Sequence, residues 1–180
     1  MGLDDWRGQV FRYCPKCGAA ALTFVGSKLV RCQACGFELF LNAAAAVAGL
    51  IFDEQGRLLL VERAREPGRG LWDLPGGFAD PGESAEAALR REVAEELDLE
   101  VTSLRYLHSE PNVYGYGGVQ YATVDLGFVC AVADISRARA AAGEVAAVVF
   151  RRPEEIELDR LAFASTRRLI ERYLSRRSQQ

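Results

Sequence analysis

The residues best suited to chemistry lie in Gly77–Leu99, GFADPGESAEAALRREVAEELDL. The stretch carries Glu83 and then Arg91, Glu92, Glu95 and Glu96 in close succession. Like charges at i,i+4, such as Glu92 and Glu96, destabilise an isolated helix. A bound cation would turn that repulsion into attraction. At about 100° per residue the three glutamates fall within an arc of roughly 100° on one side of a helix. Leu89, Val93 and Leu97 form an adjoining apolar stripe at i, i+4 and i+8. The acids therefore border the buried face, where a cleft can form. Carboxylate oxygens are hard donors and favour Mg²⁺ or Mn²⁺ over softer-ligand metals. Mg²⁺ takes few protein carboxylates and completes its shell with substrate phosphates, so a phosphate ester or anhydride is the expected partner. The bland alternative is a solvated acidic helix face.

The helix that must carry these acids reads as Ser84–Leu97, with Ser84 as N-cap and Pro81-Gly82 as the turn before it. Its spacing of Gly77, Glu83, Arg91, Glu92, Val93, Glu95, Glu96 and Leu99 resembles the Nudix box. Leu74-Pro75-Gly76-Gly77 and Gly70-Leu71-Trp72 are similar to that family's approach to the box, and the resemblance covers roughly residues 42–175. Asp98 stands where the family has a second glycine that ends the helix with a positive φ. Asp tolerates that region better than most residues.

The resemblance implies an α/β/α sandwich with a mixed sheet and metal-dependent hydrolysis of a nucleoside diphosphate linked to another moiety. It implies Glu92, Glu95 and Glu96 as ligands, with a backbone carbonyl of Gly76 or Gly77 as a further one. Glu83 and Arg91 would lock the loop to the helix. A glutamate beyond the box often adds a ligand or a base; Glu144, in Gly143-Glu144-Val145 before a strand, is the expected one, with Glu92 its rival as base.

Four of the five cysteines form Cys14-Pro15-Lys16-Cys17 and Cys32-Gln33-Ala34-Cys35, each followed by glycine. Two such knuckles read as a tetrahedral Cys₄ site for structural Zn²⁺. Thr23–Arg31 would supply a strand pair between them. So short a piece builds little core, and the metal would hold it together. Cys130, in an apolar run, reads as a buried strand residue. These features divide the chain into a zinc ribbon with a short lead, 1–41, and a catalytic domain, 42–180.

A ribbon followed by this box resembles the NADH pyrophosphatase and ADP-ribose pyrophosphatase branch. That branch carries Ser-Gln-Pro-Trp-Pro-Phe-Pro-x-Ser after the box. Here the segment reads Ser109-Glu110-Pro111-Asn112-Val113-Tyr114-Gly115-Tyr116, without the Trp, Phe and later Pro. ADP-ribose or another ADP-linked metabolite is therefore as strong an expectation as NADH. Asn112, Tyr114 and Tyr116 are expected to receive the base, with Tyr121 beside them. Arg63 and Arg65, ending a strand near the cleft, could meet phosphate.

Around these residues the chain reads as strands at Ala43–Phe52 and Arg57–Ala64, paired as a hairpin around Asp53-Glu54-Gln55-Gly56. A strand at 101–108, a polar loop at 111–118, strands at 119–132 and 145–151 and a final helix at 164–175 follow. The 180 residues are 49% hydrophobic and 26% charged, with a net charge of −3, which is ordinary for a globular domain and gives no global pull toward nucleic acid. No apolar run reaches the roughly 18 residues of a membrane span. Met1–Val10, with Asp4, Asp5 and Arg7, lacks a signal-peptide pattern, so a cytoplasmic protein is expected. Ribbon-bearing relatives imply a homodimer. Two other functions stay open: removal of an NAD-type cap from RNA 5′ ends, with Arg12, Lys16, Lys28 and Arg31 making the ribbon locally basic, and a non-catalytic nucleotide-binding regulator.

Overall fold

The structure, a computed structural model, describes residues 7–177. The first six residues of the lead and the last three of the tail lie outside them. The chain forms two compact units: Met1–Ala43 with Val113–Ala122, and Ala44–Asn112 with Thr123–Gln180.

In the first unit, a short helix α1 (Arg7–Val10) precedes strands β1 (Leu22–Val25), β2 (Leu29–Cys32) and β3 (Glu38–Phe40), an antiparallel sheet in that order. Among the described residues its buried apolar groups are few: Val30, Cys14 and Cys32, with Phe11 edge-on to Phe24 at 6.1 Å between ring centroids.

The second unit holds β4 (Ala44–Ile51), β5 (Leu58–Arg63), β6 (Trp72–Asp73), α2 (Ala85–Leu97), most of β7 (Val101–Tyr116) and of β8 (Val119–Val132), β9 (Val145–Arg151) and α3 (Ala164–Arg177). The strands run in the orders β4-β8-β7 and β6-β5-β9, with β4 parallel to β8 and β5 antiparallel to both neighbours. Successive strand side chains point to opposite faces. Val47, Ile51, Leu59 and Val61 accordingly pack with Leu89, Val93 and Leu97 of α2. Leu50, Leu58 and Leu60 pack with Leu169 and Ile170 of α3. Both faces are covered, which is why these strands read as unbroken apolar runs, and the expected α/β/α layering results. Among the described residues no helix is long and apolar enough to cross a membrane.

Two expectations need correction. The segments 43–52 and 57–64 do not form a hairpin ladder; among the described residues their strand pairing is the single bridge Phe52↔Leu58. β4 has its hydrogen-bonding edges taken elsewhere, by β8 and by the segment 75–79 through Val47 N–H to Gly77 O at 2.8 Å, Gly49 N–H to Pro75 O at 2.9 Å and Ala79 N–H to Ala45 O at 3.0 Å. Nor is 111–118 a loop: β7 runs to Tyr116, and the turn is Gly117-Gly118 alone, at φ +57° and +77°. Val and Tyr favour strands, the two glycines suit a tight hairpin turn, and Pro111 is tolerated because β7 is an edge strand.

Candidate functional site

Segment 75–79, strapped along β4, is what α2 faces. Two glycines let it pass this close. A Cβ on Gly76, at φ +146°, would collide with the Val47 carbonyl, and one on Gly77 would lie 2.5 Å from the Glu92 carboxylate. Helix α2 starts at its expected N-cap, where the Ser84 hydroxyl accepts from Ala87 N–H at 3.2 Å. It ends at Asp98 in the left-handed region, φ 56° and ψ 36°.

Arg91 is the hub joining loop to helix. Nε and Nη2 grip both oxygens of Glu83 at 2.9 and 3.0 Å, and Nη2 also donates to Phe78 O at 3.0 Å. Nη1 reaches Glu92 at 2.8 Å and Glu95 at 3.0 Å. Glu83 also accepts from Asp80 N–H at 2.9 Å, closing the turn onto the helix. The two-pronged contact holds Glu83 well ionised and Arg91 firmly charged.

Glu96 lies on the same side of α2 and accepts from Gly76 N–H at 3.0 Å. Burial, added to by the charges of Glu92, Asp73 and Glu144, pushes its carboxyl up to about 8 despite that hydrogen bond. Burial also raises Glu92, with Glu95 and Glu144 adding to it and Arg91 opposing. Glu95 is the exposed member, its side chain 58% accessible.

Glu144 stands beside this cluster for reasons of backbone. Ala64 N–H bonds Glu144 O at 2.9 Å, while Arg139 and Ala141 N–H bond the carbonyls of Leu97 and Glu96, both at 2.9 Å. The loop before β9 is thereby tied both to β5 and to the end of α2. The Glu144 carboxylate meets Arg65 Nη1 at 3.1 Å.

The crowd of carboxyls, with burial and mutual repulsion both working against ionisation, fits a hard divalent cation. Glu92 and Glu95 also lean on Arg91. The Gly77 carbonyl, bonded to Val47 N–H, keeps a second lone pair for such an ion.

Other expected residues are placed differently. Arg63 donates to Pro67 O at 2.7 Å and to Asp73 at 3.2 Å, and its guanidinium lies 4.9 Å over the Phe163 ring. Asn112 donates to Asp125 at 3.1 Å. Tyr114 and Tyr116 belong to the first unit, where Tyr116 is exposed. Sequence reasoning missed Asp73, which accepts from Thr166 of α3 at 2.6 Å and is raised by burial. Its one signal is its place immediately before Leu74-Pro75-Gly76-Gly77. Asp125, accepting from both Asn112 and Thr123, was missed as well.

In the first unit the Sγ atoms of Cys14, Cys17, Cys32 and Cys35 all lie within 4.8 Å of one another, with Cys14–Cys35 and Cys17–Cys32 at 3.7 Å. A tetrahedron of ~2.3 Å metal–sulfur bonds has edges of about 3.8 Å. The two knuckles are built alike: Gly18 and Gly36, both at φ +74°, donate to the carbonyls of Cys14 and Cys32 at 2.8 and 3.0 Å. Burial opposes ionisation of Cys32, but N–H groups of Cys35 and Ala34 and the neighbouring thiols outweigh it and bring the thiol down to about 7. The cluster is compatible with a bound metal ion.

Residues 42–173 match the family model described as the NUDIX domain. The chain is 34% identical over 99 residues to the NAD-capped RNA hydrolase NudC of Pseudomonas fluorescens (strain Pf-5), which covers 55% of this chain and 35% of that protein. It is 40% identical over 78 residues to the ADP-ribose pyrophosphatase of Methanocaldococcus jannaschii, covering 42% of this chain and 46% of that one. The chain thus matches less than half the length of either relative. Among solved structures it is similar to a NUDIX hydrolase from Nitrosomonas europaea, with a TM-score of 0.70, 25% identity and 93% of each chain covered.

Proposed function

The chain belongs to the NUDIX family, and on that premise we propose that it hydrolyses the pyrophosphate bond of a nucleoside diphosphate joined to a second moiety, with ADP-ribose or an NAD-type dinucleotide as substrate and AMP as product. The observation that carries this reading is the convergence of Glu92, Glu96 and Glu144 from two separate segments, with Glu144 strengthening the hold of both Glu92 and Glu96 on their protons and Glu92 that of Glu96.

Glu92, Glu95 and Glu96, with the Gly76 or Gly77 carbonyl, would hold Mg²⁺ or Mn²⁺. When bound, that ion neutralises phosphate charge and acidifies the attacking water. The residues do the rest. Gly76 N–H fixes the Glu96 carboxylate, and the Glu83–Arg91 fork fixes segment 75–79 against α2. Glu144, on a loop anchored at both ends, accepts the proton of the water attacking phosphorus, and Glu92 is the other candidate for that role. In-line attack then requires positioning and charge stabilisation and no protein nucleophile.

Cys14, Cys17, Cys32 and Cys35 are assigned to structural zinc on the strength of their 3.7 Å edges. Thiols gathered for a metal also support a reducing, cytoplasmic setting. A second reading is removal of an NAD-type cap from RNA. The name of the NudC relative favours it, as do the exposed Tyr13 and Tyr116 in the same unit as Lys16 and Lys28.

The test is incubation with ADP-ribose, NADH, NAD⁺, FAD, diadenosine polyphosphates and an NAD-capped RNA in Mg²⁺, read for AMP or for the 5′-monophosphate RNA end. Release from a small dinucleotide or ADP-sugar supports the first reading. Turnover of capped RNA alone favours the second, and no turnover with any metal overturns both.

A further inference from the structure

Building on the hydrolase reading, we propose that Arg65 is a substrate-positioning residue whose guanidinium exchanges Glu144 for a phosphate of the diphosphate substrate. Of Arg63, Arg65 and Arg91, the arginines considered for substrate or cluster contact, two are committed. Arg91 is spent on Glu83, Glu92, Glu95 and the Phe78 carbonyl. Arg63 is held by Pro67 O and Asp73, stacks on Phe163, and its side chain is only 20% exposed.

Arg65 differs. Its side chain is 65% exposed and meets Glu144, itself 55% exposed, at 3.1 Å. An ion pair this open to water contributes little and is exchanged readily. Its position is nevertheless fixed by the fold. Arg65 follows Ala64, whose N–H bonds the Glu144 carbonyl, so the two side chains emerge side by side. Gly143 keeps room for the guanidinium: a Cβ there would come within 3.2 Å of Arg65 Nη2.

Glu144 in turn is close enough to act electrostatically on Glu92 and Glu96. A phosphate drawn to those acids by a cation arrives beside Arg65. The planar guanidinium then offers two parallel N–H donors to its oxygens. The same exchange releases Glu144 toward the attacking water.

The test compares Arg65→Ala and Arg65→Lys, each in the native and the Glu144→Gln background, using ADP-ribose. Turnover is followed in Mg²⁺, and equilibrium binding by calorimetry in Ca²⁺. The expected result is a rise of about tenfold or more in KM and Kd for Arg65→Ala, with kcat changed by less than about threefold, and partial recovery in Arg65→Lys. The loss of binding is expected to be at least as large in the Glu144→Gln background, where Arg65 has no carboxylate to give up. A fall in kcat at unchanged KM, or a binding loss that vanishes with Glu144→Gln, overturns the proposal, because Arg65 would then act only through Glu144. If the native protein binds ADP-ribose without turning over any dinucleotide, the hydrolase reading fails while the calorimetry still decides Arg65. If it does not bind at all, both fall.

Discussion

The carboxylate of Glu96 accepts a hydrogen bond from the backbone N–H of Gly76 at 3.0 Å, twenty residues earlier in the chain. The contact joins the acid-bearing face of α2 to the segment strapped along β4, and it fixes one carboxylate where its neighbours make ionisation hardest.

That crowding has a pH signature. Glu96 is raised to about 8 by burial and by the charges of Glu92, Asp73 and Glu144, against about 4.3 in an unfolded chain. A raised carboxyl binds its proton more tightly when folded. Its contribution to stability is therefore full below about pH 4 and is lost as pH climbs toward 8. Without added Mg²⁺, melting temperature is expected to fall more steeply between pH 5 and 8 in the native protein than in Glu96→Gln, and Mg²⁺ should flatten the native curve. Parallel curves for the two proteins would count against this electrostatic account.

Gly77 is a second sensitive point. A methyl group there would sit 2.5 Å from the Glu92 carboxylate. The side-chain end can swing aside, so Gly77→Ala is expected to fold with a melting temperature near native while displacing Glu92. Turnover should drop by about a hundredfold or more, in the range seen when a charge-stabilising group is misplaced. Unchanged kcat would mean that Glu92 does not need its observed position.

The largely buried Asp73 depends on a donor from the far end of the chain, the Thr166 hydroxyl at 2.6 Å. Thr166→Val keeps the shape and removes the donor. Leaving the carboxyl short of a partner should cost about 1–3 kcal/mol, a fall of several degrees in melting temperature for a domain of this size. Denaturant unfolding of the two proteins measures it, and a difference under about 0.3 kcal/mol would show that Arg63 and Leu74 N–H suffice.

In the first unit, zinc should account for one metal per chain by mass spectrometry. Cys32→Ser is expected to abolish it and to open segment 14–40 to protease, since so few apolar groups are buried there. Protection of that segment equal to the native protein's, with no metal bound, would remove the structural role.

Much of this was legible in the sequence because it is local. Helix α2 is announced by Ser84, by the stripe Leu89-Val93-Leu97 and by Asp98, whose left-handed φ of 56° ends it. The cysteine knuckles are equally local. Partnerships between distant segments were not legible. An apolar run with a turn after it looks like half of a hairpin, and nothing in Ala44–Ile51 tells that its hydrogen bonds go to β8 and to 75–79. The Gly- and Tyr-rich stretch after Pro111 resembles a loop by composition, yet it continues an edge strand. Asp73 and Thr166 are 93 residues apart, so their pairing exists only once α3 is seated. Arg63 and Arg65 look alike in sequence; the structure separates them by commitment, one clamped to Asp73 and Pro67, the other open to solvent.

The most direct test of the central claim is Mg²⁺-dependent AMP release from ADP-ribose by the native protein beside Glu95→Gln and Glu96→Gln. The account expects turnover by the native protein that disappears with chelation of Mg²⁺. It also expects kcat to fall by about two orders of magnitude or more in each variant, through lost charge at the cation site. Turnover that survives both substitutions at near-native rates would contradict it.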